Sequence, residues 1–247
     1  MTQTGRPDWL AEEEALQIEQ MEKDYATVRG VYAAAIREIN ARLQTLDTEF
    51  SFRNRHNPIH HMESRIKSLP SIVQKLKHMG ISPSISNAKK NMHDIAGVRV
   101  VCRYVDDIYL LANLLLSQDD IVLILEKDYI KHPKPNGYRS LHIVVDVPIY
   151  MIEGKLFIQV EIQIRTVAMD FWATLEHGIR YKARDEVPPE IVRELHECAD
   201  VITETDYKMQ SIFQRLQEVR DQEGYVMPPN TTDGELQRLF GEIRGDR

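Results

Sequence analysis

The chain has 247 residues, 43% hydrophobic and 28% charged, with 11 glycines and 11 prolines, the make-up of a soluble globular protein of one or two domains and not of a disordered one. A net charge of −7 excludes a nonspecific coat for DNA or RNA, although a nucleotide site needs only a local cluster of cations. The most apolar stretch, near Tyr109–Leu116, spans about eight residues and is too short for a bilayer; the acidic start through Asp8, Glu12, Glu13 and Glu14 is not expected to be a signal peptide, and Cys102 and Cys198, in no CxxC pair, fit a reducing cytoplasm.

From Met21 the apolar positions run Met21, Tyr25, Val28, Tyr32, Ile36, Ile39, Leu43, Leu46 and Phe50. Steps of three and four mark one face of a long amphipathic helix. Asn57-Pro58 reads as a second helix start, with Asn57 as N-cap and Pro58 at the first helical position. A break at Ser68-Leu69-Pro70 precedes a short helix that runs to Met79 and stops at Gly80. Gly80–Asn87, with Pro83 and three serines, reads as a loop.

The period then changes. Gly97–Val105 is expected to be a strand, Asp107–Ser117 an apolar helix, and Ile121–Leu125, Leu141–Val147 and Leu156–Arg165 further strands, the last two joined by a turn at Glu153-Gly154. Thr166–Lys182 returns to a helical pattern. The fold class is α/β (α+β), a mixed sheet with helices on one side. Beyond Pro188-Pro189, Leu195, Ile202, Met209 and Leu216 recur every seven residues, with Ile191, Cys198, Thr205, Ile212 and Val219 as a companion row. This is a heptad seam, interrupted at Thr205, that either folds back on the core or pairs with another subunit. Gly224 and Pro228-Pro229 end it.

Strand parity sorts the polar groups. In the last strand Leu156, Ile158, Val160, Ile162 and Ile164 face one way and Gln159, Glu161, Gln163 and Arg165 the other. Leu141, Ile143, Val145 and Val147 do the same opposite Tyr138, Ser140 and His142, and Arg99 and Arg103 share a parity. Solvation alone explains a polar face. It explains less easily a carboxylate, a histidine, a tyrosine and arginines together, the set a phosphate–metal site requires. Lys127, Lys131, His132, Lys134, Arg139 and His142 add a basic segment with Asp128 as its one acid. A solvated loop and a phosphate site account for it equally well.

Tyr129-Ile130-Lys131-His132-Pro133-Lys134-Pro135-Asn136-Gly137-Tyr138-Arg139-Ser140-Leu141-His142 resembles the synthetase signature of the RelA/SpoT family of alarmone enzymes. His93–Arg99, Glu161–Thr166, Phe171–His177 and His56–Ile59 agree in order and spacing, so the resemblance covers roughly Phe50 to Lys182. Length and flanking helices look like the synthetase-only branch, the small alarmone synthetases. The resemblance implies a nucleotidyltransferase-type core that moves pyrophosphate from ATP to the 3′-hydroxyl of GDP or GTP, with Mg²⁺ bridging phosphates, and no hydrolase activity. It implies that Asp94 and Glu161 are the magnesium carboxylates, Glu161 also the candidate base. Arg65, Lys67 and Arg99 resemble the ATP-side cations, the two arginines sandwiching adenine and Arg65 and Lys67 presented by a helix end. Lys131, Lys134 and His142 look like phosphate contacts on the GDP/GTP side, Tyr138 like the guanine-stacking residue, and Glu176 and Asp170 match positions lining the acceptor pocket.

Further expectations follow from the resemblance. Residues 1–50 form an N-terminal helical region, 51–185 the catalytic domain, 186–223 a helical oligomerisation region and 224–247 a tail. The protein is expected to be a cytoplasmic homotetramer, binding neither DNA nor membrane, with RNA regulation left open. Leu125-Glu126-Lys127-Asp128 keeps only the final Lys-Asp of a charged motif that long family members carry, which leaves GDP versus GTP open. His56, His60 and His61 invite a zinc reading, but a helix start at Pro58 would separate the first from the others. The rival reading is a catalytically silent nucleotide- or RNA-binding regulator of the same fold. Retention of both Asp94 and Glu161 disfavours it, because mere binding would tolerate one carboxylate fewer beside polyphosphate.

Overall fold

A computed structural model describes residues 8–53, 56–183 and 187–222. The expected tail over 224–247 lies outside the described residues. In chain order the elements are α1 (Asp8–Phe52), β1 (Ile59–Ile66), α2 (Leu69–His78), α3 (Ile85–Asn91), β2 (Ala96–Cys102), α4 (Val105–Leu116), β3 (Val122–Asp128), β4 (Leu141–Met151), β5 (Gly154–Thr166), α5 (Val167–Lys182) and α6 (Pro189–Gln222). The strands form one sheet in the order β1-β2-β5-β4-β3. β2 and β5 run parallel and the other neighbours antiparallel. This is the mixed α+β arrangement that the pattern of periods implies.

One sheet face is a continuous apolar layer. Val98 and Val100 of β2, Ile143, Val145 and Val147 of β4, and Val160, Ile162 and Ile164 of β5 are buried there. They pack with Ile36, Ile39 and Leu43 of α1 and Ile108, Leu111 and Leu115 of α4 in a single core. Each such aliphatic side chain contributes about 1.5–3 kcal/mol relative to leaving it exposed. Helix α1 is thus built into the sheet's own hydrophobic layer. Its Arg42 adds a two-pronged clamp on Asp120, both nitrogens at 2.8 Å.

Two segments differ from the sequence reading. The residues after Pro58 form β1, not a helix: Asn57 Oδ1 accepts from the Ile59 amide at 2.9 Å, and β1 pairs with β2 from Ile59↔Cys102 to Ile66↔Ala96. A register irregularity between Ile59 and His61 breaks the alternation that would have announced a strand. Within the expected Gly80–Asn87 loop, Ser84 caps a helix, its hydroxyl accepting from Asn87 N at 3.0 Å while Ile85 and Ala88 are buried.

The heptad seam divides between two environments. Leu195, Ala199 and Ile202 pack on Trp172, Ala173 and Tyr138. Further along, Asp206, Gln210 and Phe213 turn inward: Gln210 accepts from the Asp106 amide and Phe213 stacks on Tyr104 with ring centres 4.4 Å apart. Met209, Ile212, Leu216 and Val219 remain about half exposed along a neighbouring face of the helix.

Candidate active site

The other sheet face is polar and open. Because Gly97 and Val144 flank Glu161, while Arg99 and His142 flank Gln163, the register brings groups from three strands onto one patch. Glu161 Oε2 accepts from Gln163 Nε2 at 2.9 Å, and Oε1 lies 3.3 Å from His142 Nδ1. His142 Nε2 is 2.9 Å from the Tyr138 hydroxyl. The neutral tautomer with its proton on Nδ1 satisfies both contacts, accepting from tyrosine and donating to glutamate. Tyr138 and His142, assigned to one polar face by parity, are therefore direct partners. Ser140 is not with them: it is fully buried and donates to Ile164 O at 3.0 Å. Arg103 lies past the end of β2 and donates to Asn57 O.

Asp94, just ahead of β2, holds two lysines on a single oxygen. Lys67 Nζ and Lys75 Nζ stand 3.0 and 2.9 Å from Oδ2, whereas the buried Oδ1 has no hydrogen-bond partner. Burial opposes ionisation of Asp94, but the two ammonium groups outweigh it and hold its carboxyl below the ordinary range. Glu161 behaves alike: burial is outweighed by His142 and the Gln163 amide, so its carboxyl is also lowered. Both are carboxylates at neutral pH.

Two recesses meet at Glu161. The larger, about 210 Å³, is lined by Asp94, Lys75, Lys127, His93, His142 and Glu161. The smaller, about 70 Å³, is lined by Glu63, Arg65, Gly97, Arg99, Gln163 and Glu161. Arg65 and Lys67 reach the open face because they alternate along and just past β1, not from a helix end; Lys67 N donates to Ile95 O as the strand closes. Asp170 Oδ1 stands 2.7 Å from Arg165 and 4.0 Å from Arg99, and Asp170 lines neither recess. Lysine 75 escaped the sequence reading because a basic residue late in a short helix is ordinarily a solvated, dipole-compensating one.

The basic segment forms the rim. Asp128 caps its start, accepting from the amides of Ile130 and Lys131 at 3.0 Å. Lys131 turns back to Asp128 at 3.2 Å and lies over the Tyr109 ring, whereas Lys134 Nζ sits 4.7 and 4.8 Å above Tyr129 and Tyr138. Glu176, buried on α5, accepts from Asn136 Nδ2 at 3.0 Å and pairs with Arg180. Of the three histidines weighed for zinc, His56 bonds to Asp107 at 2.8 Å, while His60 and His61 contact each other on β1. The ground given for separating them, a helix at Pro58, does not hold; they are parted by different partners.

Gly137 fixes where this rim rests. Its φ of +87° lies in the region that favours glycine, and a Cβ there would meet the Ala199 Cβ of α6 at 2.5 Å. Gly137→Ala is expected to lower the melting temperature by about 3–10 °C, from roughly 1–3 kcal/mol of backbone strain and contact. Adding Ala199→Gly should recover the contact part, so the double variant loses less than the sum of the two single losses. Strict additivity in calorimetry would mean that loop and helix do not touch.

Comparison with known proteins gives a consistent picture. Residues 64–186 match the model described as a region found in RelA/SpoT proteins. The chain is similar to two Bacillus subtilis GTP pyrophosphokinases. It is 41% identical to YwaC over 190 residues, 77% of this chain and 90% of that protein, and 34% identical to YjbM over 189 residues, 76% and 88%. Among solved structures, B. subtilis small alarmone synthetase 1 bound to its product pppGpp superposes with a TM-score of 0.74 at 33% identity, covering 79% of this chain and 99% of that one. Small alarmone synthetase 2 of the same organism gives 0.71 at 41% identity, covering 78% and 99%.

Proposed function

This chain belongs to the RelA/SpoT family and is a (p)ppGpp synthetase of the small alarmone type, and we propose that its working parts are the residues gathered around Glu161. The reaction transfers pyrophosphate from ATP to the 3′-hydroxyl of GDP or GTP and releases AMP. A transfer of this kind asks the protein chiefly for alignment and charge neutralisation. One arrangement carries the assignment: Glu161 is the common wall of two recesses and is ionised.

In this reading the smaller recess takes ATP, with Arg65 and Arg99 on either side of adenine, and Lys67 faces its phosphates. The guanosine nucleotide enters from the rim, stacking on Tyr138 with Lys131 and Lys134 toward its phosphates, while both nitrogens of His142, expected as a phosphate contact, are taken by Tyr138 and Glu161. Glu176 and Asp170 complete the pocket through Asn136 and Arg165. Glu161 receives the 3′-hydroxyl proton on a carboxylate oxygen. His142, donating through Nδ1, keeps that carboxylate oriented, and Tyr138 fixes the His142 tautomer.

Asp94 and Glu161 suit a hard cation. The unpartnered Oδ1 of Asp94 and the shared cavity offer oxygen ligands, while Lys67 and Lys75 already neutralise Oδ2. That donor set is too sparse to hold an ion alone and fits magnesium carried in on ATP oxygens. Magnesium, when bound, supplies charge neutralisation on the transferring phosphates. Incubation with ATP, GDP and Mg²⁺ should release AMP in step with a new guanosine polyphosphate and stop with EDTA. Absence of AMP would overturn the reading.

Residues 51–185 carry the chemistry, and 186–223 carry assembly into a cytoplasmic homotetramer. Support comes from the exposed Met209, Ile212, Leu216 and Val219 row on α6, an apolar seam with no cover within the chain's described residues. Sedimentation should find a particle of four 28.7 kDa chains, reduced in Met209→Glu/Leu216→Glu. A monomeric parent protein would refute it. Among the described residues no helix is long and apolar enough to cross a membrane.

A further inference from the structure

Arg139 follows the stacking tyrosine in the chain, yet its guanidinium turns away from the cleft. It is 7% exposed. Nη1 donates to Thr203 Oγ1 and Nη2 to the Tyr207 hydroxyl, both at 3.0 Å, and the guanidinium carbon lies 5.2 Å from the Tyr207 ring centre. Both partners belong to α6. The same strip of α6 receives Gly137 at Ala199, and Trp172 Nε1 donates to Leu195 O at 3.0 Å. One turn on, Asp206 accepts from Thr166 Oγ1 at 2.6 Å, and Thr166 in turn accepts from the Met169 amide at the start of α5. Neither Thr203 nor Tyr207 lines the two recesses at Glu161.

The position of Tyr138 therefore has two sources. From the front, its hydroxyl meets His142. From behind, the next residue in the chain is bolted to a helix. Within the loop, the Tyr138 amide donates to Asn136 Oδ1 at 3.2 Å and its carbonyl accepts from Lys134 N at 3.1 Å, so Tyr138 and Lys134 move as one unit. A loop so short, freed at Arg139, would sample arrangements in which the ring leaves its register. Acceptor affinity would then fall in proportion to the fraction that stays competent.

We propose that Arg139 is a positioning residue for the acceptor nucleotide: tied to Thr203 and Tyr207, it holds the Tyr138 ring against His142 and makes α6 part of the acceptor site. Helix α6 lies beyond the 64–186 stretch matched by the family model, so a determinant of acceptor binding sits outside the shared domain. Arginine is required because its planar fork reaches two acceptors at once, which a lysine ammonium on a flexible stem does not do in one geometry. The inference rests on the acceptor role assigned to Tyr138 above.

Steady-state kinetics with ATP and GDP varied in turn tests it on the full chain. Arg139→Lys keeps the charge, and Thr203→Val/Tyr207→Phe removes both anchors from the helix side without opening a cavity at the loop. Both proteins are expected to show a GDP KM raised about tenfold, an ATP KM within about twofold, and kcat at saturating GDP reduced less than about threefold. Melting temperature and sedimentation should be unchanged to within a few degrees and one oligomeric state. An unchanged GDP KM in both variants, or equal rises in the two KM values, would overturn the proposal. So would a fall in kcat and melting temperature with both KM values intact, the signature of a purely structural contact. If the parent protein itself releases no AMP from ATP and GDP, the functional reading fails instead, and the two failures are distinguishable.

Discussion

Glu161→Gln is expected to lower turnover about a thousandfold while costing no more than a few degrees in melting temperature. Glutamine matches glutamate in shape, and its amide can still meet either His142 or Gln163, which hold the two carboxylate oxygens at 3.3 and 2.9 Å. What disappears is the charge and the ability to take a proton. General-base loss alone is worth about 10²–10⁴, and the same carboxylate faces both recesses. The stability cost has a pH signature. Folding lowers the Glu161 carboxyl from its ordinary 4.5, so its contribution is present above that value and is lost as pH falls through the folded value. The melting-temperature gap between parent and variant should therefore be widest near neutrality and close in acid. Residual activity above about a tenth of the parent would remove Glu161 from the chemistry.

Tyr138→Ala is expected to weaken GDP use by about ten- to a hundredfold, the worth of one base stacked on an aromatic ring. The ring is held edge-on to Tyr129 and His142, with centres 6.1 and 5.8 Å away. Lys134 stands over the ring at 4.8 Å, ready to meet phosphate beside a stacked base. Tyr138→Phe keeps all of this but loses the bond to His142 at 2.9 Å. A net hydrogen bond is worth about 0.5–1.5 kcal/mol, so its loss should be only about two- to tenfold. Equal damage in the two variants, measured as GDP kcat/KM, would assign the role to the hydroxyl and the His142–Glu161 chain, not to the ring.

These effects concern residues that the sequence already marked, and the reason is physical. Period-two alternation in β4 and β5 separates Ile143 and Ile162 from His142 and Glu161 whatever the tertiary context, so the polar face was legible. Helix α1 and the α2 stop at Gly80 were legible from spacing and punctuation. Strand β1 was not. Asn57-Pro58 has the local chemistry of a helix start, and pairing with β2 overrides it. The same local signal assigns Arg65 and Lys67 to a helix end, whereas strand parity directs them to the cleft. The short α3 has too few turns to show a period, and its serines read as loop. The second lysine on Asp94, from α2, and the anchoring of Arg139 by α6 are contacts at separations of 19, 64 and 68 residues, which no local pattern encodes.

In this reaction a diphosphate moves as a unit from ATP to the acceptor while AMP departs. The measurement closest to it follows the two inner phosphates separately, using ATP labelled with radioactive phosphorus at either the α or the β position and unlabelled GDP. Label from the β position should appear in the guanosine product, and label from the α position only in AMP. Formation of ADP, or β label retained on the adenosine product, would mean that only the terminal phosphate is transferred and would contradict pyrophosphate transfer.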